Sequence, residues 1–239
     1  MSFSVVVLSR KVENVIPCVK HVLLAEKECT IHVIDDGIQW ENSGDLGFPS
    51  DWEYPDRQDR ISEVLRRMQC QSGAKPFIFA RNANIGIRAS CQDDVILLND
   101  DALLETTRGF TLLAAAAAAH PEFGVISAVT NVVGNLAQRP QAGTGLREEP
   151  RTLAFVCVYI PRATIDRVGL LDERYCLDYG VEDNDYCESV RRAGLKLGIF
   201  DGCYVDHGKL KSTFRGDPSR PATSHRNLAL FEEKFGHPA

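Results

Sequence analysis

The sequence predicts an α/β fold: a mostly parallel, Rossmann-like central sheet with helices on both faces. Three observations carry this. Short runs that are apolar throughout, such as Val5–Leu8 and Val95–Leu98, read as strands buried on both faces. These runs alternate with stretches of helical spacing. The first unit reads strand, helix, strand, which implies a parallel pair joined by a right-handed crossover.

Taken in order, Phe3–Leu8 is strand one. From Asn14 the apolar positions Val15, Val19, Val22 and Leu23 have helical spacing, with Pro17 in the first turn, where a helix tolerates it. Ile31–Ile34 is strand two and stops at Asp35-Asp36-Gly37. Residues 39–60 are polar and irregular and read as a long surface loop. Its aromatics, Trp40, Phe48, Trp52 and Tyr54, either stack on a ligand or pack locally. Ile61–Met68 reads as an amphipathic helix and Pro76–Phe79 as strand three. Arg81–Gly86 opens a helix toward Ser90, Val95–Leu98 is strand four, and Leu103–Ala119 reads as one long helix. Phe123–Ala128 is another strand. Residues 131–150, with several glycines and prolines, read as a mobile loop that folds over a site. Leu153–Ile160 is a strand, and Pro161–Gly169 a short helix ended by glycine. Gly180–Gly194 is a helix with leading acids, with Arg191 and Arg192 near its end and Gly194 as its stop. Leu197–Phe200 and Tyr204–His207 are the closing strands, and Asn227–Phe235 is a terminal helix. No internal repeat is present.

Bulk composition narrows the function. The chain has 239 residues, 44% hydrophobic and 25% charged, which is enough for one domain with a large core. A net charge of −6 speaks against non-specific binding to nucleic acid or to anionic lipid. No apolar run approaches the ~18 residues of a membrane span, and no signal peptide is visible. The eight cysteines include no C-x-x-C pair and read as reduced core thiols of a cytoplasmic protein.

Ligands of such sheets bind beyond the carboxyl ends of the strands. Strand four ends in Asn99-Asp100-Asp101. Two adjacent acids there either hold a hard divalent cation or make a turn that caps the next helix. Asp35-Asp36 likewise either makes a turn or offers an acceptor to a ribose or a base N–H. The turn after strand one, Ser9-Arg10-Lys11-Val12-Glu13-Asn14, lacks the G-x-G-x-x-G of a dinucleotide fold, which disfavours NAD chemistry. In the 180–194 helix the apolar stripe Tyr186, Cys187, Val190, Ala193 extends backwards to Asp183. An inward acid there points to a site. The other reading is an acid on the helix dipole, worth ~0.5 kcal/mol, a role that Glu182 or Asp185 fills from the exposed side.

Five pieces then occur in order: Ser4-Val5-Val6-Val7-Leu8-Ser9; Val33-Ile34-Asp35-Asp36-Gly37; Arg81-Asn82-Ala83-Asn84-Ile85-Gly86; Leu97-Leu98-Asn99-Asp100-Asp101; and Gly180-Val181-Glu182-Asp183-Asn184-Asp185 with Arg191-Arg192-Ala193-Gly194. Together they resemble family 2 type glycosyltransferases of the GT-A fold, over most of residues 3–213. The resemblance implies one GT-A domain over 1–239, with a nucleotide-sugar-binding half in 1–128 and a smaller portion carrying the acceptor side and catalytic base in 129–239. It implies metal-dependent, inverting transfer from a nucleotide sugar, a UDP-sugar being favoured, to a hydroxyl of a glycan or other acceptor. By the same resemblance Ser9 and Asp36 lie along the nucleotide, with Asp36 on the base, and Arg81 and Asn84 flank the nucleotide or donor sugar. Asp100 and Asp101 match the DxD-type motif. Asp101 would ligate Mn²⁺ or Mg²⁺, Asp100 would touch the ribose or the metal's waters, and His207 resembles the third metal ligand. Lys209, Lys211 and Arg215 either clamp the diphosphate or form a solvated basic loop. Asp183 takes the place of the general base, with Glu182 as its local rival.

Two other classes stay open. A sugar nucleotidyltransferase wants a glycine-rich, lysine-bearing loop after strand one, which Ser9-Arg10-Lys11-Val12 is not. A GT-A-like module that binds a nucleotide or glycan without turnover is the non-catalytic alternative.

Overall fold

The computed structural model describes residues 2–39, 66–143, 145–175, 180–211 and 220–239, the last with side chains from 224 on. The loop expected over 39–60, apart from Gln39, and the helix expected over 61–65 lie outside them. Arg66 and Arg67 are helical, but Met68 already begins a strand.

The elements are β1 (Phe3–Ser9), α1 (Val12–Ala25), β2 (Thr30–Asp35), β3 (Met68–Ser72), α2 (Phe79–Ala89), β4 (Asp94–Asn99) and β5 (Leu103–Leu104). They continue with α3 (Gly109–Ala119), β6 (Phe123–Thr130), β7 (Leu146–Glu148), β8 (Cys157–Ile160), α4 (Arg162–Val168), α5 (Glu182–Arg192), β9 (Lys196–Asp206) and α6 (Arg220–Phe235). The strands form one sheet in the order β3-β2-β1-β4-β8-β6-β9-β5, with β7 also paired to β9. β1 runs parallel to β2 and β4, and β6 parallel to β9. β8 runs antiparallel to both of its neighbours, β4 and β6. The carboxyl ends of β1, β2, β4, β6 and β9 therefore share one edge, where the site is built.

Both faces of the sheet are covered, which is why its strands are apolar without alternation. Val5 and Val7 of β1 and Ile96 and Leu98 of β4 pack on one face with Val15, Cys18, Val19 and Val22 of α1 and with Phe110 and Leu113 of α3. Val6, Val95 and Leu97 point the other way, toward Ala80, Ala83 and Ile87 of α2 and Tyr186 and Val190 of α5. This is the two-residue period of a strand with apolar neighbours on both sides. α2 lies so close to β1 that a Cβ on Gly86 would sit 2.3 Å from Val6 Cγ1.

Several elements differ from expectation. Pro76–Phe79 is not a strand. Pro76 follows a cis peptide bond and leads into α2, and a proline cannot donate to a ladder. The third strand is Met68–Ser72, parallel to β2, a polar edge strand with no apolar signature. The long helix expected from Leu103 is two elements. Leu103 and Leu104 pair with Asp206 and Val205 of β9, and the helix starts only at Gly109, after Arg108 at φ +57°. α1 begins at Val12, so Pro17 sits inside it rather than in its first turn. β8 starts at Cys157 rather than Leu153, and the two closing strands are one, β9. Residues 131–150 contain a 3₁₀ turn at Leu136–Gln138 and the strand β7. The fully buried Gln138 ties that turn to Ser127 Oγ and to the backbone of Ala154. No helix among the described residues is long and apolar enough to cross a membrane.

Candidate active site

At the carboxyl edge of the sheet lies a cleft of about 410 Å³. Asp100, Asp101 and His207 line it, facing Glu182, Asp183 and Asn184, with Phe77, Phe79 and Phe155 as aromatic wall. Acids from the end of β4 and the start of α5 thus meet although 82 residues separate Asp101 from Asp183.

Asp100 is 6% exposed. Ser9 Oγ donates to its Oδ2 at 2.6 Å and Asn14 Nδ2 to its Oδ1 at 3.5 Å. Burial lifts its pKa to about 6, against the lowering effect of the Ser9 bond and with the help of the neighbouring Asp101 charge. Asn14 also donates to the carbonyl of Lys211 at 3.1 Å. Asn14 is polar and leaves no mark in the apolar pattern, yet it stands four residues before Cys18 and shares its inward face.

Asp101 Oδ1 lies 3.0 Å from His207 Nε2. His207 Nδ1 lies 2.7 Å from the carbonyl of Val132. A carbonyl only accepts, so Nδ1 carries the proton and Nε2 is turned to Asp101. A second ring nitrogen anchored on a backbone carbonyl is how metal-ligating histidines are oriented. The backbone N–H of His207 donates to Asn131 Oδ1 at 2.9 Å, which holds this end of β9. Among the described residues no group of three His, Cys, Asp or Glu side chains forms a metal cage. A carboxylate plus an imidazole suits Mn²⁺ or Mg²⁺ whose other positions go to a diphosphate and water.

Asp183 is half-buried on the opposite wall. Its Oδ1 accepts the N–H of Asn184 at 2.9 Å. Burial raises its pKa to about 6, and backbone N–H groups, that of Phe155 among them, oppose the rise. Glu182 is pushed to about 7, first by burial and then by the Asp183 charge. Asp185 corrects the expectation made for it. It does not face solvent but is 2% exposed, bonded to Tyr175 Oη at 2.8 Å and to Lys234 Nζ at 2.7 and 2.9 Å.

The nucleotide residues read from the sequence divide. Asp36, 5% exposed, lies 2.9 Å from Lys75 Nζ and 3.4 Å from Arg10 Nε. Its buried Oδ1 nonetheless lacks hydrogen-bond alignment. A second cleft, about 390 Å³, runs from here along Arg10, Lys11, Asn14, Gly37 and Lys211. The structure does not bring Arg81 and Asn84 to either cleft's lining. Arg81 donates to the carbonyls of Ala74 and Pro76. Asn84, 1% exposed, exchanges hydrogen bonds with the backbone of Leu171 and reaches Glu173. These bonds join α2 to its neighbours, and among the described residues the buried Nε of Arg81 makes none. Lys209 pairs with Glu105 at 2.6 Å and Asp206 at 3.5 Å and is not among the residues lining the Asp101 cleft. Arg215 lies outside the described residues.

This sheet, with its acids at the carboxyl edge and an acid-bearing helix across the cleft, has the GT-A glycosyltransferase architecture. Solved structures of that fold show the likeness directly. GalNAc-T7 with UDP, GalNAc and Mn²⁺ has a TM-score of 0.69 at 13% identity, covering 98% of this chain and 48% of that one. The mannosyltransferase PcManGT from Pyrobaculum calidifontis, in complex with GDP-Man and Mn²⁺, has a TM-score of 0.67 at 14% identity, covering 97% and 63%. S. aureus TarS 1-349 has a TM-score of 0.60 at 14% identity, covering 100% and 66%. The chain thus spans less than two thirds of each of these proteins. No family model matches the sequence, and no curated protein does.

Proposed function

We propose that this chain is a metal-dependent glycosyltransferase that moves a sugar, with inversion, from a nucleoside diphosphate to an acceptor hydroxyl. One observation carries the reading: Asp183 and the Asp101–His207 pair line the same cleft at the carboxyl edge of a GT-A sheet. GalNAc-T7 with UDP and Mn²⁺ and PcManGT with GDP-Man and Mn²⁺ support it.

In this reading Asp101 and His207 would hold Mn²⁺ or Mg²⁺, which would supply positive charge against the diphosphate leaving group. Asp183 accepts the proton of the acceptor hydroxyl while that oxygen bonds to the anomeric carbon and the bond to the diphosphate breaks. Its raised pKa keeps it a competent base at neutral pH. Ser9 and Asn14 fix Asp100 for contact with the ribose or the metal's waters. Asp36 Oδ1 takes a nucleobase N–H beside Lys75, and a UDP-sugar is the favoured donor. Lys211 lies along the second cleft for the nucleotide, whereas Lys209, Arg81 and Asn84 act at most through others. The acceptor is a glycan or another hydroxyl compound, and nucleic acid is disfavoured by net charge. The described cysteines are all free, with Cys18, Cys29, Cys157, Cys187 and Cys203 buried, which suits the cytoplasm.

The test is turnover of a panel of UDP- and GDP-sugars with and without Mn²⁺. Metal-dependent consumption of one donor is the expected result. Binding of a nucleotide with no turnover of any donor, in the presence of acceptors, favours the non-catalytic module instead.

A further inference from the structure

α6 takes no part in the chemistry above, yet its contacts converge on the turn that carries Asp183. That turn is strained: Gly180 has φ +83° and Val181 φ +87°. Glycine accepts this region freely. A β-branched residue does not, and such a backbone persists only where its surroundings hold it. Here α6 supplies the surroundings. Asn227, 1% exposed, donates from Nδ2 to the carbonyl of Gly180 at 3.0 Å. Phe231 and Phe235 form a small apolar cluster with Tyr175 and Val181. Lys234 pairs with Asp185 in the first turn of α5. At the other end of α5, Arg192 donates to the carbonyl of Phe235 at 2.7 Å. Ser224, on the same helix, lines the cleft with Asp183.

We propose that α6 is a clamp that positions the catalytic base, and that Asn227 is its positioning residue. This rests on Asp183 being the base. α5 begins at Glu182, so the dihedrals of Val181 set the direction of the whole first turn. By holding the Gly180 carbonyl, Asn227 keeps Val181 left-handed and aims Asp183 into the cleft. Among the described residues, the hydrogen bond of Asn227 runs to Gly180 and not to the Asp101–His207 pair or Asp36. Its loss therefore slows the proton-transfer step and leaves donor binding intact.

The experiment compares wild type with Asn227→Ala by backbone amide hydrogen exchange and by steady-state sugar transfer. The variant should speed exchange at Asp185–Cys187 about tenfold while β1 and β4 amides keep their rates. It should lower kcat about tenfold with the donor KM held within about twofold, since a misplaced base costs the chemical step. Unchanged exchange at Asp185–Cys187 overturns the clamp whether or not the chain is active. Faster exchange there with unchanged kcat overturns the positioning role. A wild type that transfers no sugar sinks the glycosyltransferase reading instead, and exchange still decides the clamp. If Asn227→Ala loosens β1 and β4 as well, Asn227→Asp keeps the shape without the amide donor and is read by the same outcomes.

Discussion

Asp183 and Asp185 stand two residues apart in the first turn of α5, in opposite surroundings. Asp185 is sealed in, with Lys234 on both oxygens and Tyr175 on one. Asp183 faces the cleft, holds the Asn184 N–H and, among the described residues, pairs with no cation. Two residues turn a helix by about 200°, so one acid is turned into the protein and the other out of it. The paired acid is a structural tie. The unpaired one is costly to bury, which fits the base role proposed for it.

Asp183→Asn gives the largest expected effect: kcat for transfer falls by ~10²–10⁴-fold, the usual reach of general-base catalysis, while the thermal midpoint does not drop. Unchanged turnover would remove Asp183 from the role. Asp185→Ala does the reverse. It leaves Lys234 without a main partner and opens a hole, so denaturant melts should show a loss of about 3 kcal/mol. A loss of that size in Asp183→Asn and not in Asp185→Ala would invert the comparison. Next in size, Asp101→Ala and His207→Ala should each weaken Mn²⁺ binding, titrated calorimetrically with UDP present, by about tenfold or more.

The pH profile separates the two acids more finely. A base must be deprotonated, so kcat should fall about tenfold per pH unit below about 6 and level off above it. Glu182, Asp100, Asp101 and His207 line the same cleft, and Asp183→Asn must abolish this limb if it belongs to Asp183. The smallest effect is on stability. Burial raises the folded pKa of Asp183 to about 6 and of Glu182 to about 7. The folded chain then binds more protons than the unfolded one in this range, and stability falls as pH rises from about 4 toward 7. Glu182→Gln and Asp183→Asn should flatten that slope and each add ~1 kcal/mol at pH 7, discounted for partial exposure. A steeper slope in either variant would contradict the assignment of these groups.

Much of the site was legible because burial on both faces leaves a mark in every residue of a strand. Val5–Val7 and Val95–Leu98 could be nothing but central strands, and the acids that end β2 and β4 follow at once. Asp183 was legible from helix period, and His207 from its place after a closing strand and from family resemblance. Edge structure left no such mark. β3 is polar because one side of it is open, whereas Pro76–Phe79 is more apolar but opens with a residue that cannot donate to a ladder. Leu103 and Leu104 suit a helix by propensity and become a strand only because β9 offers its edge. Arg81 and Asn84 fit the resemblance by their place in the sequence, but their hydrogen bonds run to Ala74, Pro76 and Leu171.

Residue pattern alone thus decides what must be buried and where charge interrupts the burial, since apolar surface is driven from water wherever it lies. It decided the parallel core and its acidic edge. Partner choice among buried polar groups belongs to the tertiary structure. Lys234 rather than solvent meets Asp185, Asn227 holds Gly180, and His207 meets Asp101 across 106 residues. Hydrogen bonds and ion pairs are short and directional, so they depend on distances that exist only once the chain has closed.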